Sequence, residues 1–338
     1  MSQTNASRAA VLQEPKAPVE IREIPVREPG PGEVLVRMEA CGLCHSDLFV
    51  SGLERLPHLP LVLGHEGVGR VEAAGPDAGV FVPGERVGIT FLASTCGSCE
   101  PCGKGRRQYC SRQLNFGYTA DGALSTWATL AAGELARVPA SLPAHQAAPL
   151  CCAGWTAYAA VRESGLEPGQ SIALFGMGGL GHLAVQYARI RGLRVAAVDT
   201  SEPKLVLARK LGAEIALSSE SAGRTLQKEY GGVDAAVVLT ASAAAIDQAF
   251  RSVKRTGILV LVGLPHQSWE LPVVDAVLKG ITIRGSYLGT ASDLAEVFRL
   301  AELGAVRPQV ETYDLAETPA LLERMARGQL HGRAVITF

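Results

Sequence analysis

Short segments of alternating hydrophobic and polar residues dominate the first part of the chain. Residues 33–39 and 67–72 alternate in part, and residues 88–91 follow the turn Pro83-Gly84. A period of two residues is typical of half-buried β-strands, and the glycine and proline residues between the segments mark turns. Many short strands separated in this way predict an antiparallel barrel or sandwich.

The pattern changes between Pro139 and Pro149, and from Ser171 onward short apolar strands alternate with helical periods. The predicted strands are 171–175, 194–198, 233–239, 258–262 and 281–283, and the predicted helices are 179–192, 202–211 and 243–252. Such a β-α series predicts a parallel, doubly wound sheet. After Gly285 the pattern is mixed and ends in the strand-like segment 333–338, which indicates a return to the first domain.

We therefore predict an α/β domain combined with a β-rich domain. The β-rich domain comprises residues 1–147 and 286–338, and the α/β domain comprises residues 148–285. A length of 338 residues fits two domains of about 100–200 residues each. Hydrophobic residues make up 47% of the chain, which is enough for a sizeable core and excludes a disordered chain.

The charge balance and the N-terminal segment indicate which partners and which cellular compartment to expect. The chain has 32 Lys and Arg residues and 33 Asp and Glu residues, so we expect no global attraction to nucleic acid or an anionic membrane. The segment Met1–Arg8 lacks the apolar core of a signal peptide, and no run of about 18 apolar residues forms a membrane span. We expect a cytoplasmic protein, in which eight cysteines point to metal binding or catalysis before disulfides.

Four cysteines within one short loop have the spacing of a metal site. Separated by two, two and seven residues, they are Cys96, Cys99, Cys102 and Cys110. Four thiolates close a tetrahedral cage around Zn²⁺ and leave no open position, so we predict a structural site. The alternatives are buried free thiols, or a zinc ribbon that binds nucleic acid through the basic segment 104–107. We interpret that segment as a solvated face, because it is short and lies inside the loop.

A second group of candidate metal ligands is dispersed along the chain. Cys44 lies in a Cys-His-Ser-Asp segment, His65 in a Gly-His-Glu-Gly segment, and Cys152 in a Cys-Cys-Ala-Gly segment. Two cysteines and one histidine, with water or a carboxylate in the fourth position, make an open, catalytic zinc site. Spacing alone does not single these residues out, because a lone histidine is often structural and a cysteine is often simply buried.

A glycine-rich segment follows the first strand of the predicted α/β domain. Residues 176–181 read Gly-Met-Gly-Gly-Leu-Gly, and Asp199 stands at the end of the next predicted strand, directly after residue 198. In this dinucleotide-binding pattern Gly176 makes the tight turn, Gly178 lets a pyrophosphate approach the backbone, and Gly181 lets the helix pack closely. An acidic residue such as Asp199 accepts hydrogen bonds from the adenosine ribose and repels a 2′-phosphate, so the pattern predicts NAD rather than NADP.

Taken in order, these motifs resemble the zinc-dependent medium-chain alcohol dehydrogenases, most closely those of the bacterial and yeast type. The resemblance rests on residues 41–48, 64–69, the four-cysteine loop, 152–156 and the glycine-rich segment. It implies a GroES-like barrel domain and a Rossmann domain, with the active site in the cleft between them. It also implies two zinc ions per chain, one catalytic and one structural, and NAD as the cofactor.

The resemblance assigns roles at the catalytic zinc. The implied ligands are Cys44, His65 and Cys152, with Cys41 and Cys151 as bystanders. Glu66 resembles a carboxylate that transiently becomes a fourth ligand, and Asp47 resembles the acceptor that orients the liganding histidine. Ser46 matches the hydroxyl that receives the substrate proton.

Cofactor and substrate positions follow from the same resemblance. His45 and Arg333 match residues near the cofactor pyrophosphate. The implied cofactor contacts are His45, Ser46, Thr156, Gly176, Met177, Gly178, Gly179, Leu180, Gly181, Asp199, Lys204, Val262, Leu264, Leu288 and Arg333. The implied substrate pocket consists of Phe49, Phe91, Trp155, Leu264 and Leu288.

The chain also departs from the family pattern. Many relatives end the proton relay with a histidine where this chain has Phe49, so the assigned relay stops at Ser46. Ala291 stands where relatives often have an arginine near the cofactor, and residues 53–56 lack the pocket tryptophan of many relatives.

The implied activity is the reversible oxidation of apolar primary or secondary alcohols to aldehydes or ketones with NAD. One alternative is a polyol or amino-alcohol dehydrogenase of the same superfamily, which the apolar pocket disfavours. Another is a non-catalytic protein that binds zinc and a nucleotide. The expected partners are a small alcohol, aldehyde or ketone and further copies of the chain in a dimer or tetramer, without nucleic acid or membrane.

Overall fold

The computed structural model describes residues 6–79, 81–330 and 332–338, so the first five residues of the polar N-terminal segment lie outside it. Contacts within the chain divide it into two compact units. The first unit contains the residues up to Cys152 together with Thr290–Gly304 and Pro308–Phe338. The second unit contains Ala153–Gly289 and Ala305–Arg307.

Both unit boundaries lie a few residues beyond the predicted domain boundaries. Residues 148–152 belong to the first unit. The 3-10 turn Ala148–Cys151 packs against strands of that unit. Residues 286–289 belong to the second unit, where the backbone N–H of Ser286 donates to the carbonyl of Leu261 at 2.9 Å. The compact units therefore divide the chain after Cys152 and after Gly289, and the predicted domain bounds stay a prediction.

The N-terminal part of the chain forms short strands separated by turns. Its elements are β1 (Ala6–Leu12), β2 (Glu20–Pro25), β3 (Glu33–Gly42), α1 (His45–Ser51), β4 (Leu61–Val62), β5 (Glu66–Ala74), β6 (Arg86–Ile89), β7 (Leu92–Ser94), α2 (Glu100–Gly103), β8 (Leu114–Asn115), β9 (Trp127–Ala131), β10 (Ala136–Arg137) and α3 (Ala144–Ala147). Strands β3 and β5 are the longest, with 10 and 9 residues, and pair antiparallel.

Strands and helices alternate through the middle of the chain. The elements are α4 (Ala153–Glu163), β11 (Ser171–Phe175), α5 (Gly181–Ile190), β12 (Arg194–Asp199), α6 (Glu202–Lys210), β13 (Ile215–Ser218), α7 (Ala222–Tyr230), β14 (Val233–Val238), α8 (Ala243–Ser252), β15 (Val253–Leu261), α9 (Val273–Lys279) and β16 (Thr282–Gly285). The last elements are α10 (Ala291–Glu302), β17 (Val310–Asp314), α11 (Thr318–Ala326) and β18 (Arg333–Thr337). Within the described ranges, no helix is long and apolar enough to cross a bilayer.

The first unit is built around a mostly antiparallel sheet of seven strands. Its order is β10-β6-β5-β3-β18-β17, with β9 also paired to β3, and smaller sheets are formed by β2-β1-β4 and β7-β8. The C-terminal strand β18 pairs antiparallel with β3, which makes this unit discontinuous in sequence. Val34, Val36, Ile89 and Leu124 are fully buried in its core, where removal of apolar area from water stabilises the fold.

The second unit contains the predicted parallel sheet. Its six strands have the order β13-β12-β11-β14-β15-β16, and every neighbouring pair is parallel. The chain runs outward from β11 on one side and continues from β14 on the other, so a topological switch point lies between these two strands. Open α/β sheets bind ligands at the carboxyl ends of the strands at such a point. The glycine-rich segment directly follows β11 and is therefore at this position.

Candidate active site

Cys44 lies just after β3 and begins helix α1. Its backbone is extended at φ −123°, and its N–H donates to Oδ2 of Asp47 at 2.8 Å, which caps the helix. The hydroxyl of Ser46 lies 3.7 Å from Sγ of Cys44, and Ser46 is half-buried. Cys41 is fully buried within β3, with Sγ 3.6 Å from the carbonyl of Gly42. The cap therefore fixes the backbone around Cys44 and keeps the Ser46 hydroxyl next to its sulfur.

His65 directly precedes β5 and is held by the same aspartate. Its Nδ1 lies 3.5 Å from Oδ1 of Asp47, which also accepts a hydrogen bond from the N–H of Gly64 at 3.2 Å. Burial lowers the pKa of His65, but the charges of Asp47 and Cys44 outweigh it and raise the pKa well above its ordinary value. The other ring nitrogen, Nε2, is buried and has no hydrogen-bond partner within the described ranges. Asp47 thus lies beside Nδ1 of the imidazole, and Nε2 is left for another ligand.

Two adjacent cysteines end the 3-10 turn, and only Cys152 faces the other candidate ligands. One donor atom from each of Cys44, His65, Glu66 and Cys152 lies within 4.8 Å of the other three, and all four residues are buried. A hydrogen bond from the Cys152 thiol lowers the pKa of Cys44 well below its ordinary value, and burial opposes this effect. Cys151 turns its sulfur toward the carbonyls of Gly67 and Ala147, at 3.7 and 3.6 Å.

Glu66 is paired with Arg333, deep in the first unit. Nη2 of Arg333 donates to Oε1 of Glu66 and to the carbonyl of Leu43 at 2.9 Å. Burial raises the pKa of Glu66 to about 8, and the positive charge of Arg333 opposes the shift. Oε2 of Glu66 is buried and has no hydrogen-bond partner among the residues that the structure describes. Arg333, which the resemblance placed near the cofactor pyrophosphate, is 4% exposed and holds the carboxylate of the ligand cluster.

The donor set fits a zinc ion. Two thiols, an imidazole nitrogen and a carboxylate oxygen converge, and His65 Nε2 and Glu66 Oε2 are buried polar atoms without a protein partner in the described part of the chain. Such unpaired buried atoms are costly unless they bind a ligand. Sulfur and imidazole donors suit Zn²⁺, and three firm ligands leave a position for substrate.

The four-cysteine loop forms the second metal site. Its four sulfur atoms lie within 4.8 Å of one another, and they belong to Cys96, Cys99, Cys102 and Cys110. Backbone N–H groups donate to the sulfurs, as from Cys99 to Cys96 and from Cys96 to Cys110, both at 3.4 Å. The backbone N–H groups of Ser98 and Cys99 lower the pKa of Cys96 to about 5. Gly97 allows the loop to turn at φ +69°. The site has the geometry of a structural zinc centre.

Two of the three basic residues in segment 104–107 pair with acidic neighbours, and Arg106 lies over the ring of Tyr109. Lys104 pairs with Glu100 at 2.6 Å, and Arg107 pairs with Glu134 at 2.5 Å. Glu134 also accepts a hydrogen bond from Thr95 at 2.6 Å, which ties the loop to the rest of the first unit. These exposed contacts agree with a solvated face, and the expectation that the segment does not bind nucleic acid stays a prediction.

In the second unit, the glycine-rich segment forms a tight turn and packs closely against its own loop. Gly176 has φ +98°, as a tight turn requires. A Cβ at Gly181 would collide with the backbone of Gly176, whereas a Cβ at Gly178 would meet no atom within 4 Å. Gly181 is therefore required for close packing, whereas the space beside Gly178 is open and its contact with a pyrophosphate stays a prediction.

Asp199 ends β12 and contacts the same loop. Its Oδ2 accepts from the N–H of Met177 at 2.6 Å, and its Oδ1 accepts from the N–H of Ser201 at 2.9 Å. The sequence pointed to a ribose acceptor but gave no sign of this second role. A carboxylate that bridges two backbone amides holds the loop and keeps its own orientation fixed.

The remaining predicted site residues are distributed over both units. Phe91 packs edge-on against the ring of His65, with ring centroids 5.1 Å apart. His45 and Phe49 are exposed on α1. In the second unit, Trp155, Thr156 and Leu288 are buried, Lys204 and Val262 are half-buried, and Leu264 is exposed. Their contacts with cofactor or substrate stay predictions.

An open thiolate–imidazole cluster, a closed four-cysteine loop and a dinucleotide-binding topology define a zinc-dependent dehydrogenase. Comparison with known proteins gives the same class. Residues 30–140 match the alcohol dehydrogenase GroES-like domain, and residues 179–302 match the zinc-binding dehydrogenase family. The chain belongs to the zinc-dependent medium-chain alcohol dehydrogenase family, whose members are oxidoreductases acting on alcohols.

Individual relatives cover the whole length. An alcohol dehydrogenase from Geobacillus stearothermophilus is 42% identical over 333 residues, covering 97% of this chain and 99% of that protein. The structure of an alcohol dehydrogenase from Aeropyrum pernix has a TM-score of 0.91 at 31% identity, covering 98% of this chain and 100% of that chain. Acetophenone reductase from Geotrichum candidum, solved in complex with NAD, has a TM-score of 0.88 at 31% identity, covering 100% and 99%.

Proposed function

We propose that this protein oxidises small apolar primary and secondary alcohols with NAD, and reduces the corresponding aldehydes and ketones. The observation that carries the proposal is the buried cluster of Cys44, His65 and Cys152, in a chain that also has the glycine-rich dinucleotide loop. NAD is supported by Asp199, whose negative charge would repel a 2′-phosphate. The similar acetophenone reductase binds NAD as well.

Residues around the cluster have distinct tasks in this reaction. Zinc held by Cys44, His65 and Cys152 would supply Lewis-acid polarisation of an alcohol oxygen. Asp47 fixes the tautomer and orientation of His65 through Nδ1, and its Oδ2 accepts a hydrogen bond from the N–H of Cys44, which stabilises that loop. The half-buried hydroxyl of Ser46, 3.7 Å from the Cys44 sulfur, is positioned to accept the alcohol proton. Phe91 adds an apolar wall at His65.

Steady-state rates with ethanol, benzyl alcohol and sorbitol test the proposal. We expect oxidation of ethanol and benzyl alcohol with NAD and little turnover of sorbitol, because the proposed pocket offers few polar groups to a polyol. Preference for sorbitol would favour a polyol dehydrogenase of the same family. A metal-loaded protein that oxidises none of the three and still binds NAD would contradict the proposed activity.

The two metal sites are expected to lose zinc at different rates. The closed four-cysteine site offers a chelator no coordination position, whereas the site of Cys44, His65 and Cys152 is open. We expect about two zinc ions per active chain, and a mild chelator should abolish activity before the protein unfolds. Elemental analysis and circular dichroism during chelation test this expectation. Full activity with about one metal per chain would contradict it.

Phe49 should limit proton release from the active site. A histidine at this position has an unperturbed pKa of about 6.5 and takes up a proton near neutral pH, whereas phenylalanine cannot. In the wild type we expect the oxidation rate to keep rising above neutral pH, with acceleration by small buffer bases. Phe49→His should raise the pre-steady-state rate of NADH formation near pH 7 several-fold. Phe49→Asn is the control that is polar but does not ionise, and equal rates in the two variants would exclude a relay role.

We also propose that the protein forms homo-oligomers through the edge of the parallel sheet. Strand β16 is the last strand of this sheet, and all four of its residues are exposed. The preceding helix α9 buries none of its residues, and Val274, Val277 and Leu278 are about 70% exposed. A second copy related by a twofold axis would cover this apolar face with the same face, and would satisfy the open strand edge by antiparallel pairing.

Val277→Asp is expected to shift this protein toward monomer, because it places a charge in the self-complementary face. Leu303→Asp is a matched control, since Leu303 is 67% exposed but lies in the first unit. Sedimentation velocity of both variants measures the effect. A monomeric wild type, or an unchanged Val277→Asp oligomer, would exclude this surface.

The free cysteines also indicate the cellular compartment in which the protein works. All eight cysteines are free, and six of them belong to the two ligand clusters and need reduced sulfur to bind zinc. This supports the cytoplasm, a reducing compartment, as the proposed location.

A further inference from the structure

Gly42 and Glu66 are direct cross-strand partners in the ladder between β3 and β5. Side chains at such a pair normally keep their Cβ atoms about 4.5–5.5 Å apart. A Cβ built on Gly42 would lie 3.1 Å from Cβ and 3.2 Å from Cδ of Glu66, and would overlap with Oε2. The side chain of Glu66 therefore lies flat across the Cα of Gly42, in space that any other residue would fill.

The backbone at Gly42 does not explain the glycine. Gly64, which precedes His65, has φ +95° and needs glycine for its conformation, but the φ of Gly42 lies outside the left-handed region. A residue with a side chain has no backbone strain at this position. The requirement is for space, and the group that uses the space is the carboxylate of Glu66.

That carboxylate is fixed on one side only. Oε1 is bound by Arg333, which also donates to the carbonyl of Leu43, next to the ligand Cys44. Oε2 is the atom that a Cβ at Gly42 would displace, and it is buried without a hydrogen-bond partner within the described ranges. One carboxylate oxygen of Glu66 lies within 4.8 Å of the sulfur and nitrogen donors of the cluster.

We propose that Gly42 is a positioning residue of the catalytic zinc site, because its missing side chain keeps the Glu66 carboxylate within reach of the three firm ligands. Arg333 holds Oε1, the space over Gly42 holds Oε2, and one of these two oxygens lies within 4.8 Å of the sulfur and nitrogen donors. In Gly42→Ala the carboxylate must swing away, which would take an oxygen donor from the metal site. The inference rests on the proposed metal centre but not on the identity of the substrate.

Zinc release to a chromophoric chelator tests this role in the metal-loaded protein. The expected fast phase reports the open site, and the slow phase reports the four-cysteine loop as an internal reference. Gly42→Ala and Glu66→Gln should each accelerate the fast phase about tenfold, the usual effect of losing a group that supports a metal ligand, and leave the slow phase unchanged. The double variant should release zinc no faster than Glu66→Gln alone, because Gly42 acts through Glu66.

Gly67→Ala controls for loss of stability. Gly67 follows Glu66 in β5, and a Cβ there would crowd Ala123 and Met38 in the core. Gly67→Ala should lower the melting temperature and leave the fast phase within about twofold, since an overpacked core is destabilising by itself. Equal acceleration in Gly67→Ala and Gly42→Ala would overturn the proposal, because general loosening would then explain both.

The remaining outcomes are equally decisive. The proposal is overturned if Gly42→Ala releases zinc at the wild-type rate in the fast phase. It is also overturned if the two effects multiply in the double variant. A protein that is inactive on alcohols but shows the expected release pattern supports it. If Gly42→Ala does not fold, the yield of folded protein is measured for Gly42→Ala combined with Glu66→Ala, in which the crowding carboxylate is gone. Recovery of folded protein there supports the proposal, and continued failure relative to Glu66→Ala overturns it.

Discussion

Replacing Cys152 with serine is expected to lower kcat/KM for alcohol oxidation by at least about a thousandfold, or roughly 4 kcal/mol of transition-state stabilisation. Cys152 contributes one of the two sulfur donors of the open cluster, and serine is a poor zinc ligand by comparison. The adjacent Cys151 gives a sharp contrast. Its sulfur faces the carbonyls of Gly67 and Ala147, so Cys151→Ala should keep kcat/KM within about threefold and affect mainly packing.

Metal content distinguishes this explanation from a general loss of structure. Cys152→Ser should retain about one zinc per chain, in the four-cysteine loop, and keep a cooperative melting transition. Cys151→Ala should retain both zinc ions. A fully active Cys152→Ser protein, or loss of the open-site metal in Cys151→Ala, would mean that the neighbouring cysteine is the ligand.

The pair Cys151-Cys152 shows what the sequence alone left open. Both cysteines are almost completely buried and adjacent, so neither composition nor spacing distinguishes a ligand from a bystander. Resemblance to the family selected Cys152, and the structure brings its sulfur into the cluster. The contiguous four-cysteine loop was predictable from spacing, because all its ligands lie in one segment.

Secondary structure was predictable where the hydrophobic pattern was strong. Strand β11 and helix α8 have the predicted bounds, since β11 is a continuous apolar run and α8 buries one clear face. Strand β13 was missed because it has only four residues, and none of them is fully buried. Helix α9 was missed because its apolar residues face outward, which removes the periodicity that predicts a surface helix.

Tertiary contacts account for the roles that sequence reasoning missed. The ion pair of Arg333 with Glu66 joins residues that are 267 positions apart, so no local sequence pattern predicts it. The space over Gly42 is equally invisible, because a glycine in a strand has several explanations until its partner is known. Asp199 was predictable as the residue that ends β12, but its bond to the N–H of Met177 depends on how the glycine-rich loop folds back.

Asp199→Gly is expected to lower the ratio of kcat/KM for NAD over NADP by about a hundredfold, roughly 2.7 kcal/mol. The substitution removes a ribose acceptor that favours NAD and a negative charge that repels the 2′-phosphate of NADP. Asp199 is 8% exposed and keeps a fixed orientation through Met177 and Ser201, so its charge lies at a defined place.

Because Asp199 also holds the glycine-rich loop, the ratio of kcat/KM for NAD over NADP must be measured, and not either value alone. Loss of the bond to the Met177 N–H should loosen the glycine-rich loop and weaken both cofactors, but this effect cancels in the ratio, because NAD and NADP share the pyrophosphate. Asp199→Asn is the matched control. It removes the charge and keeps a side chain that accepts a hydrogen bond, so we expect a smaller fall in the ratio than in Asp199→Gly. If both variants change kcat/KM for NAD and NADP in parallel, so that the ratio moves by less than about tenfold, then Asp199 only supports the loop and does not select the cofactor.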